Sequence, residues 1–205
     1  MDSVRYVVAF IVVASFPPAL LMWLLIHPFA VFWRILGPVV TYAVMAVPVA
    51  ACIYVVAQFR EQLLGVDLGT NWVTVVLGVG SALVGFLVSR QRRKKLGFGT
   101  LSGMPELSRN RYPGALLTDG IYGVIRHPRY IEAYMWVLGY ALFANYLGAY
   151  VVVILCVPVI YAVVMLEERE LRERFGPAYE EYCRRVPRFV PKRWPWKEPK
   201  EPGAA

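Results

Sequence analysis

The sequence predicts an all-α integral membrane protein with about five transmembrane helices, the last two a helical hairpin, followed by a helical C-terminal tail. Three observations lead there. Of 205 residues, 58% are hydrophobic and only 18% charged, with a mean hydropathy of +0.50. A soluble domain carries about 25% charged residues. The apolar residues fall into five runs near the length that crosses a bilayer. The basic residues collect between and after those runs on one side only. Disorder is excluded by the same composition.

A hydrocarbon core of about 30 Å takes about 20 apolar residues as helix. Residues 4–26 form the first such run, with Arg5 at its edge and Pro17-Pro18 inside as an expected kink. Its length and the missing basic leader set it apart from a cleaved signal peptide. Residues 35–58 are the second span, carrying Pro38 in the first turn and Pro48 midway. Residues 71–89 are the third, where Gly78, Gly80, Ser81, Ala82 and Gly85 permit close helix contact. Residues 128–146 and 149–166 are the fourth and fifth. Only a few residues around Asn145 and Gly148 join them, as in an antiparallel hairpin.

Of the 22 lysines and arginines, all but Arg5 and Arg60 fall on one side of this arrangement. The positive-inside rule puts that side in the cytosol, with the N-terminus outside and the C-terminus inside. The net charge of +8 is then mainly a topology signal, and nucleic-acid binding is not expected. Residues 1–89 read as spans one to three. Residues 90–205 read as loop, hairpin and tail, part of one integrated domain, with the polar material on the cytosolic face where any catalytic region is expected. Residues 96–127 contain Gly97, Gly99 and Gly103 without the Lys-Ser/Thr of a phosphate loop. The tail, residues 167–194, opens as a charged helix that Gly176-Pro177 interrupts, and the stretch from Lys197 to Ala205 reads as disordered.

Three cysteines and two histidines give neither a disulfide framework nor a zinc-type cluster, so no metal site is expected. The chemistry concentrates elsewhere. Tyr122, Arg126, His127, Pro128 and Arg129 lead into span four, and Pro128 suits its first turn. A helix N-terminus with cations beside it receives an anion, or serves as a basic interfacial anchor. Glu132, one turn deeper, is either functional or paired with Arg129 three residues back. Glu167 and Glu168 close span five, where a carboxylate opposes the helix dipole and needs compensation. Glu170, Glu173, Arg169, Arg172 and Arg174 read as a solvated or lipid-headgroup face. The hairpin sets its donor-rich end beside its carboxylate end, an arrangement that suits a zwitterionic or cationic cofactor.

Arg126-His127-Pro128-x-Tyr130, Glu167-Glu168, Phe175-Gly176-x-x-Tyr179-x-x-Tyr182 and Val186-Pro187-Arg188-Phe189-Val190-Pro191 resemble, in this order and spacing, the isoprenylcysteine carboxyl methyltransferase family. The wider group includes phospholipid N-methyltransferases. The resemblance covers about residues 118–191. It implies a membrane methyltransferase that binds S-adenosyl-L-methionine in a pocket covered by the cytosolic loop and the tail. It further implies that His127 and Tyr130, with Tyr122 beside them, contact the methionine end, and that Glu167 or Glu168 holds the amine or ribose. Tyr179 and Tyr182 then close the tail over the pocket. Two departures stand out. Glu132 occupies a position where the family has a small residue, so Glu132 and Arg126 are the candidate catalytic residues. The residues before the acidic pair, from Val163 to Leu166, are apolar rather than basic. The acceptor is expected to be a hydrophobic or amphiphilic molecule arriving from the bilayer, such as an isoprenylcysteine carboxylate or a lipid amine. Spans one and two would line its access. The alternatives are an NADPH-dependent membrane reductase, for which about ten spans would be expected, and a non-enzymatic membrane scaffold.

Overall fold

The computed structural model describes residues 1–93 and 115–192. Lys94, Lys95, Gly97, Gly99, Gly103 and the final stretch from Lys197 lie outside the described residues. The path is helical: α1 (Asp2–Ile26), a 3-10 turn (His27–Phe29), α2 (Ala30–Leu36), α3 (Pro38–Gln58), α4 (Arg60–Leu64), α5 (Trp72–Arg93), a 3-10 turn (Gly120–Gly123), α6 (Pro128–Ala144), α7 (Leu147–Phe175) and α8 (Pro177–Arg185). Asp67 and Tyr146 form an isolated antiparallel bridge.

Four helical stretches are long and apolar enough to cross a membrane, namely Asp2–Leu36, Pro38–Gln58, Trp72–Arg93 and Leu147–Phe175. Their outer faces expose large apolar side chains such as Val39, Val47, Trp72, Val76 and Ile154, as expected of an integral membrane protein. The expected fourth span is present as α6, but its 17 residues extend only about 25 Å. Among the described residues, four helical stretches therefore meet the length requirement and α6 falls short of it. By contrast, α7 joins the apolar run that ends at 166 to the charged helix expected after it and continues nine residues further, to Phe175. Its 29 residues reach about 43 Å, more than the hydrocarbon core needs. That excess carries Glu167, Glu168 and Glu170 as helix.

The small-residue stripe of α5 meets α6. A Cβ on Gly78 would come within 2.9 Å of the Gly139 carbonyl, and one on Gly139 within 2.9 Å of the Gly78 carbonyl. Ser81 Oγ donates to the Met135 carbonyl at 2.7 Å, and Gly85 packs on Trp136. Gly80 is the exception and faces open space. Such backbone proximity brings dispersion contacts that lipid cannot supply. α1 continues as helix through Pro17 and Pro18. Pro18, Leu21 and Met22 of α1 face Met45, Pro48 and Cys52 of α3 across an apolar cavity of about 200 Å³.

Asn145 and Tyr146 alone connect α6 to α7. Asn145 takes the left-handed conformation (φ 55, ψ 47), which its short polar side chain tolerates. Arg5, 2% exposed, fastens this corner. Its Nε donates to the Ala144 carbonyl at 3.0 Å, Nη1 to Asp2 at 3.2 Å, and Nη2 to Asp67. Asn145 donates to the Gly69 carbonyl and accepts from the Tyr150 hydroxyl. Gly148 lies against α4, where a Cβ would collide with the Leu63 carbonyl.

At the opposite end, Gly176 (φ 52, ψ −130) stops α7 in a conformation open to glycine, and Pro177 starts α8. Tyr179, Tyr182 and Val186 bury against Leu171 and Phe175, which folds the tail back onto α7.

Candidate active site

Glu168 is the centre of this end. It is fully buried, and its carboxylate meets three arginines and His127. His127 Nε2 lies 3.1 Å from Oε1 and Arg126 Nη2 3.0 Å from the same oxygen. Arg188 donates from Nε to Oε1 and from Nη2 to Oε2, both at 2.9 Å, and Arg172 reaches Oε2 at 3.2 Å. The helix dipole demands compensation for a carboxylate here, and these groups supply it.

Glu167 is less fully satisfied. Its Oε2 stands 3.6 Å from His127 Nδ1 and is buried without a hydrogen-bond partner among the described residues. Tyr130 approaches it from the first turn of α6, and His27 is close enough for its charge to be felt. His127 thus stands between the two carboxylates. Burial acts to lower its pKa, but the two neighbouring carboxylates, with Glu168 in hydrogen-bond contact, outweigh burial and raise it above the ordinary 6.5.

The tail closes over this corner by main-chain bonds. The backbone N–H of Arg126 donates to the Pro187 carbonyl at 2.9 Å, and that of His127 to the Arg188 carbonyl at 3.1 Å. The Tyr182 hydroxyl donates to the Tyr122 carbonyl at 2.6 Å, so Tyr122 takes part through its backbone. Phe189 lies 6.0 Å from the His127 ring. Tyr179, 1% exposed, keeps its hydroxyl without a partner among the described residues, as does Arg126 at Nε. Burial pushes the Tyr179 hydroxyl well above its usual range, so it remains a donor.

Arg126, His127, Tyr130, Glu167, Glu168 and Tyr179 therefore come together, with Tyr122 and Tyr182 as the tie between turn and tail. Glu132 is held elsewhere. Its Oε2 accepts from Arg92 Nε at 2.7 Å, and both residues are buried. Arg129, the partner expected from helix spacing, instead places its guanidinium 4.6 Å above the Trp23 ring. The pairing crosses from α5 to α6 and cannot be read along one helix.

The solvated face holds only in part. Arg169 and Glu173 form an exposed pair, but Arg172 serves Glu168, and Glu170 turns inward to His27 Nδ1 at 3.2 Å and to Arg34. His27, Arg172 and Arg188 were not singled out from sequence as site residues. The unmet need for cations beside Glu167-Glu168 was the signal for the arginines. For His27 the signal was its place at the end of span one on the same side.

The phospholipid methyltransferase family pattern matches residues 73–178. Protein-S-isoprenylcysteine O-methyltransferase of Schizosaccharomyces pombe is 36% identical over 80 residues, 37% of this chain and 33% of that protein. Protein-S-isoprenylcysteine O-methyltransferase B of Arabidopsis thaliana is 32% identical over 77 residues, 37% of this chain and 39% of its own length. The cobalt-zinc-cadmium resistance protein CzcN of Cupriavidus metallidurans is 35% identical over 83 residues, 40% of this chain and 38% of that protein. The chain spans a third to two fifths of the length of these curated relatives. No solved structure matches.

Proposed function

Because this chain belongs to the phospholipid methyltransferase family, we propose that it is a membrane methyltransferase that binds S-adenosyl-L-methionine at the Glu167 end of α7. The acceptor is a hydrophobic or amphiphilic molecule, an isoprenylcysteine-like carboxylate or a lipid amine. The observation that carries this reading is a group of buried polar atoms around one corner that have no hydrogen-bond partner among the described residues: Glu167 Oε2, Arg126 Nε and the Tyr179 hydroxyl. Such atoms are costly unless a ligand completes them. One acceptor and two donors match a zwitterion with an ammonium and a carboxylate.

In this reading Glu167 receives the ammonium, and Arg126 and Tyr179 donate to the carboxylate or to ribose hydroxyls. The cofactor supplies a methyl group already activated on a sulfonium. The protein's part is to orient, to exclude water and to hold charge. Glu168 holds the tail: Arg188 on its carboxylate keeps the segment from Val186 to Pro191 over the corner. His127 orients both carboxylates. Glu132 is the tether that Arg92 holds between α5 and α6. The site end, with nearly all the basic residues, faces the cytosol, and the Arg5 corner faces outward. The cavity between α1 and α3 offers room for an apolar chain, in support of access from the bilayer.

Titration of S-adenosylhomocysteine into the detergent-solubilised chain tests this. Binding is expected in the wild type. Glu167→Gln should weaken it by about 1–3 kcal/mol, the scale of a hydrogen bond to a charged group. Glu132→Gln should leave it unchanged. Equal affinity in wild type and Glu167→Gln, with melting temperature preserved, would overturn the assignment of Glu167.

A further inference from the structure

Glu168 stands on a side of α7 that is otherwise turned to lipid. Val157, Tyr161 and Met165, each one turn from the next, are exposed there. Glu168 follows Tyr161 by seven residues, about 20° short of two full turns, so the two lie on one line about 10 Å apart along the axis. Tyr161 is 49% exposed, whereas Glu168 is fully buried because other groups cover it. From the tail, the cover is Arg188.

All three side-chain nitrogens of Arg188 are committed to this line. Nε and Nη2 donate to the two oxygens of Glu168, both at 2.9 Å, and Nη1 donates to the Tyr161 hydroxyl at 3.1 Å. The guanidinium carbon also lies 5.5 Å from the centre of the Tyr161 ring. A carboxylate alone lets a guanidinium tilt about the pair of bonds. A third acceptor two turns away, with an aromatic ring beside it, fixes the plane. The backbone of the same residue holds the other side of the corner. Its carbonyl accepts from the His127 N–H, and Phe189 lies against the His127 ring. Arg188 therefore ties the tail to α7 by its side chain and to the turn before α6 by its main chain. Val190, just beyond, exposes its apolar side chain, which fits a stretch of tail running along the lipid boundary.

We propose that Tyr161 is a positioning residue for the cofactor corner: from the lipid-facing side of α7 it orients Arg188 on Glu168 and so keeps the tail from Val186 to Pro191 closed along the bilayer side of that corner. What the closed tail retains rests on the methyltransferase reading. With the hydroxyl gone, Nη1 loses its acceptor on α7 in a place with little water, and the fork on Glu168 loosens. The tail then opens more often, and a bound S-adenosyl compound leaves sooner. Tyr161 is half exposed and contributes little to the packing of the bundle, so the effect falls on the rate of release rather than on the fold.

The test follows release of radiolabelled S-adenosylhomocysteine from the purified full chain in phosphatidylcholine nanodiscs, together with trypsin cleavage after Arg188 and the melting temperature. Tyr161→Phe should release the ligand about threefold faster than the wild type, and Tyr161→Ala about tenfold faster. Both should be cut sooner after Arg188, yet melt no earlier than Tyr54→Ala, a control that removes an exposed tyrosine from α3. In an Arg188→Gln background Tyr161→Phe should add nothing, because the two residues act through one contact. Wild-type release rates in both Tyr161 variants overturn the assignment. So does an equal acceleration by Tyr161→Phe in the Arg188→Gln background, which would place the action of Tyr161 elsewhere. If the wild type binds no S-adenosylhomocysteine, the methyltransferase reading fails and the cleavage after Arg188 decides by itself. Faster cutting in Tyr161→Ala then supports the positioning role, and equal cutting overturns it.

Discussion

The Arg5 corner and the Glu168 corner stand at opposite ends of the bundle, and each is built around a charge almost wholly removed from solvent. They differ in what remains unsatisfied. Arg5 has a partner for each of its three nitrogens, and the neighbouring Asn145 and Asp67 are bonded as well. Around Glu168 the central charge is saturated, but Glu167, Arg126 and Tyr179 beside it keep unpaired polar atoms. A buried charge therefore does not by itself mark a site. The first end closes on itself and holds three segments together, whereas the second leaves places for a ligand.

The comparison can be broken most forcefully at Glu168. Glu168→Ala leaves Arg126, Arg172, Arg188 and His127 facing one another, and removal of one partner from a buried ion cluster costs about 3–5 kcal/mol. We expect a lower melting temperature in detergent and a tail cut readily by protease near residue 188. A melting temperature close to wild type would mean that the tail is held by other contacts.

Arg5→Ala should cost less, about 1–3 kcal/mol, because Asp2 and Asp67 can turn to water and only the Ala144 carbonyl loses a buried partner. S-adenosylhomocysteine affinity should stay at the wild-type value. A variant that melts earlier and also loses affinity would show that the two ends are coupled through α6 and α7.

The smallest effect is expected from pH. His127 has a folded-state pKa above its ordinary 6.5, so folding favours its charged form. That stabilisation is complete below about pH 6.5 and is lost as pH rises through the raised value. Melting temperature should therefore fall on the alkaline side in the wild type, and His127→Gln should flatten that portion of the curve. An identical pH profile in the variant would remove His127 as the titrating group.

Much of this architecture is legible along the chain because its causes are local. Apolar run length locates the helices. Gly176-Pro177 marks the end of α7, and Pro38 and Pro128 sit at first turns where a missing N–H costs nothing. The stripe from Gly78 to Gly85 reads correctly as a helix contact except at Gly80, which lies about 200° around the helix from Gly78 and faces away from α6. What sequence could not show is pairing between distant elements. Glu132 finds Arg92 across 40 positions, Glu170 finds Arg34 across 136, and His27 meets Glu170 across 143. Helix spacing offers Arg129 to Glu132 because it is near in sequence. The actual choice is made by the close approach of α5 and α6, which no local pattern encodes. Hydropathy stops at 166 while the backbone remains helical to Phe175, in keeping with the charged helix that the sequence places before Gly176-Pro177.

The seam between the tail and the turn before α6 has its own consequence for divergence. It is stitched by the N–H groups of Arg126 and His127 and the carbonyls of Pro187 and Arg188, groups that nearly every amino acid carries. Side chains along this stretch other than Arg126, His127 and Arg188, which also hold Glu168, can drift without opening the seam, and among single replacements only proline at 126 or 127 deletes a donor outright. The tail is thereby free to acquire new side chains over the corner while its path stays fixed. Change in what the corner accepts can proceed without change in how it is closed.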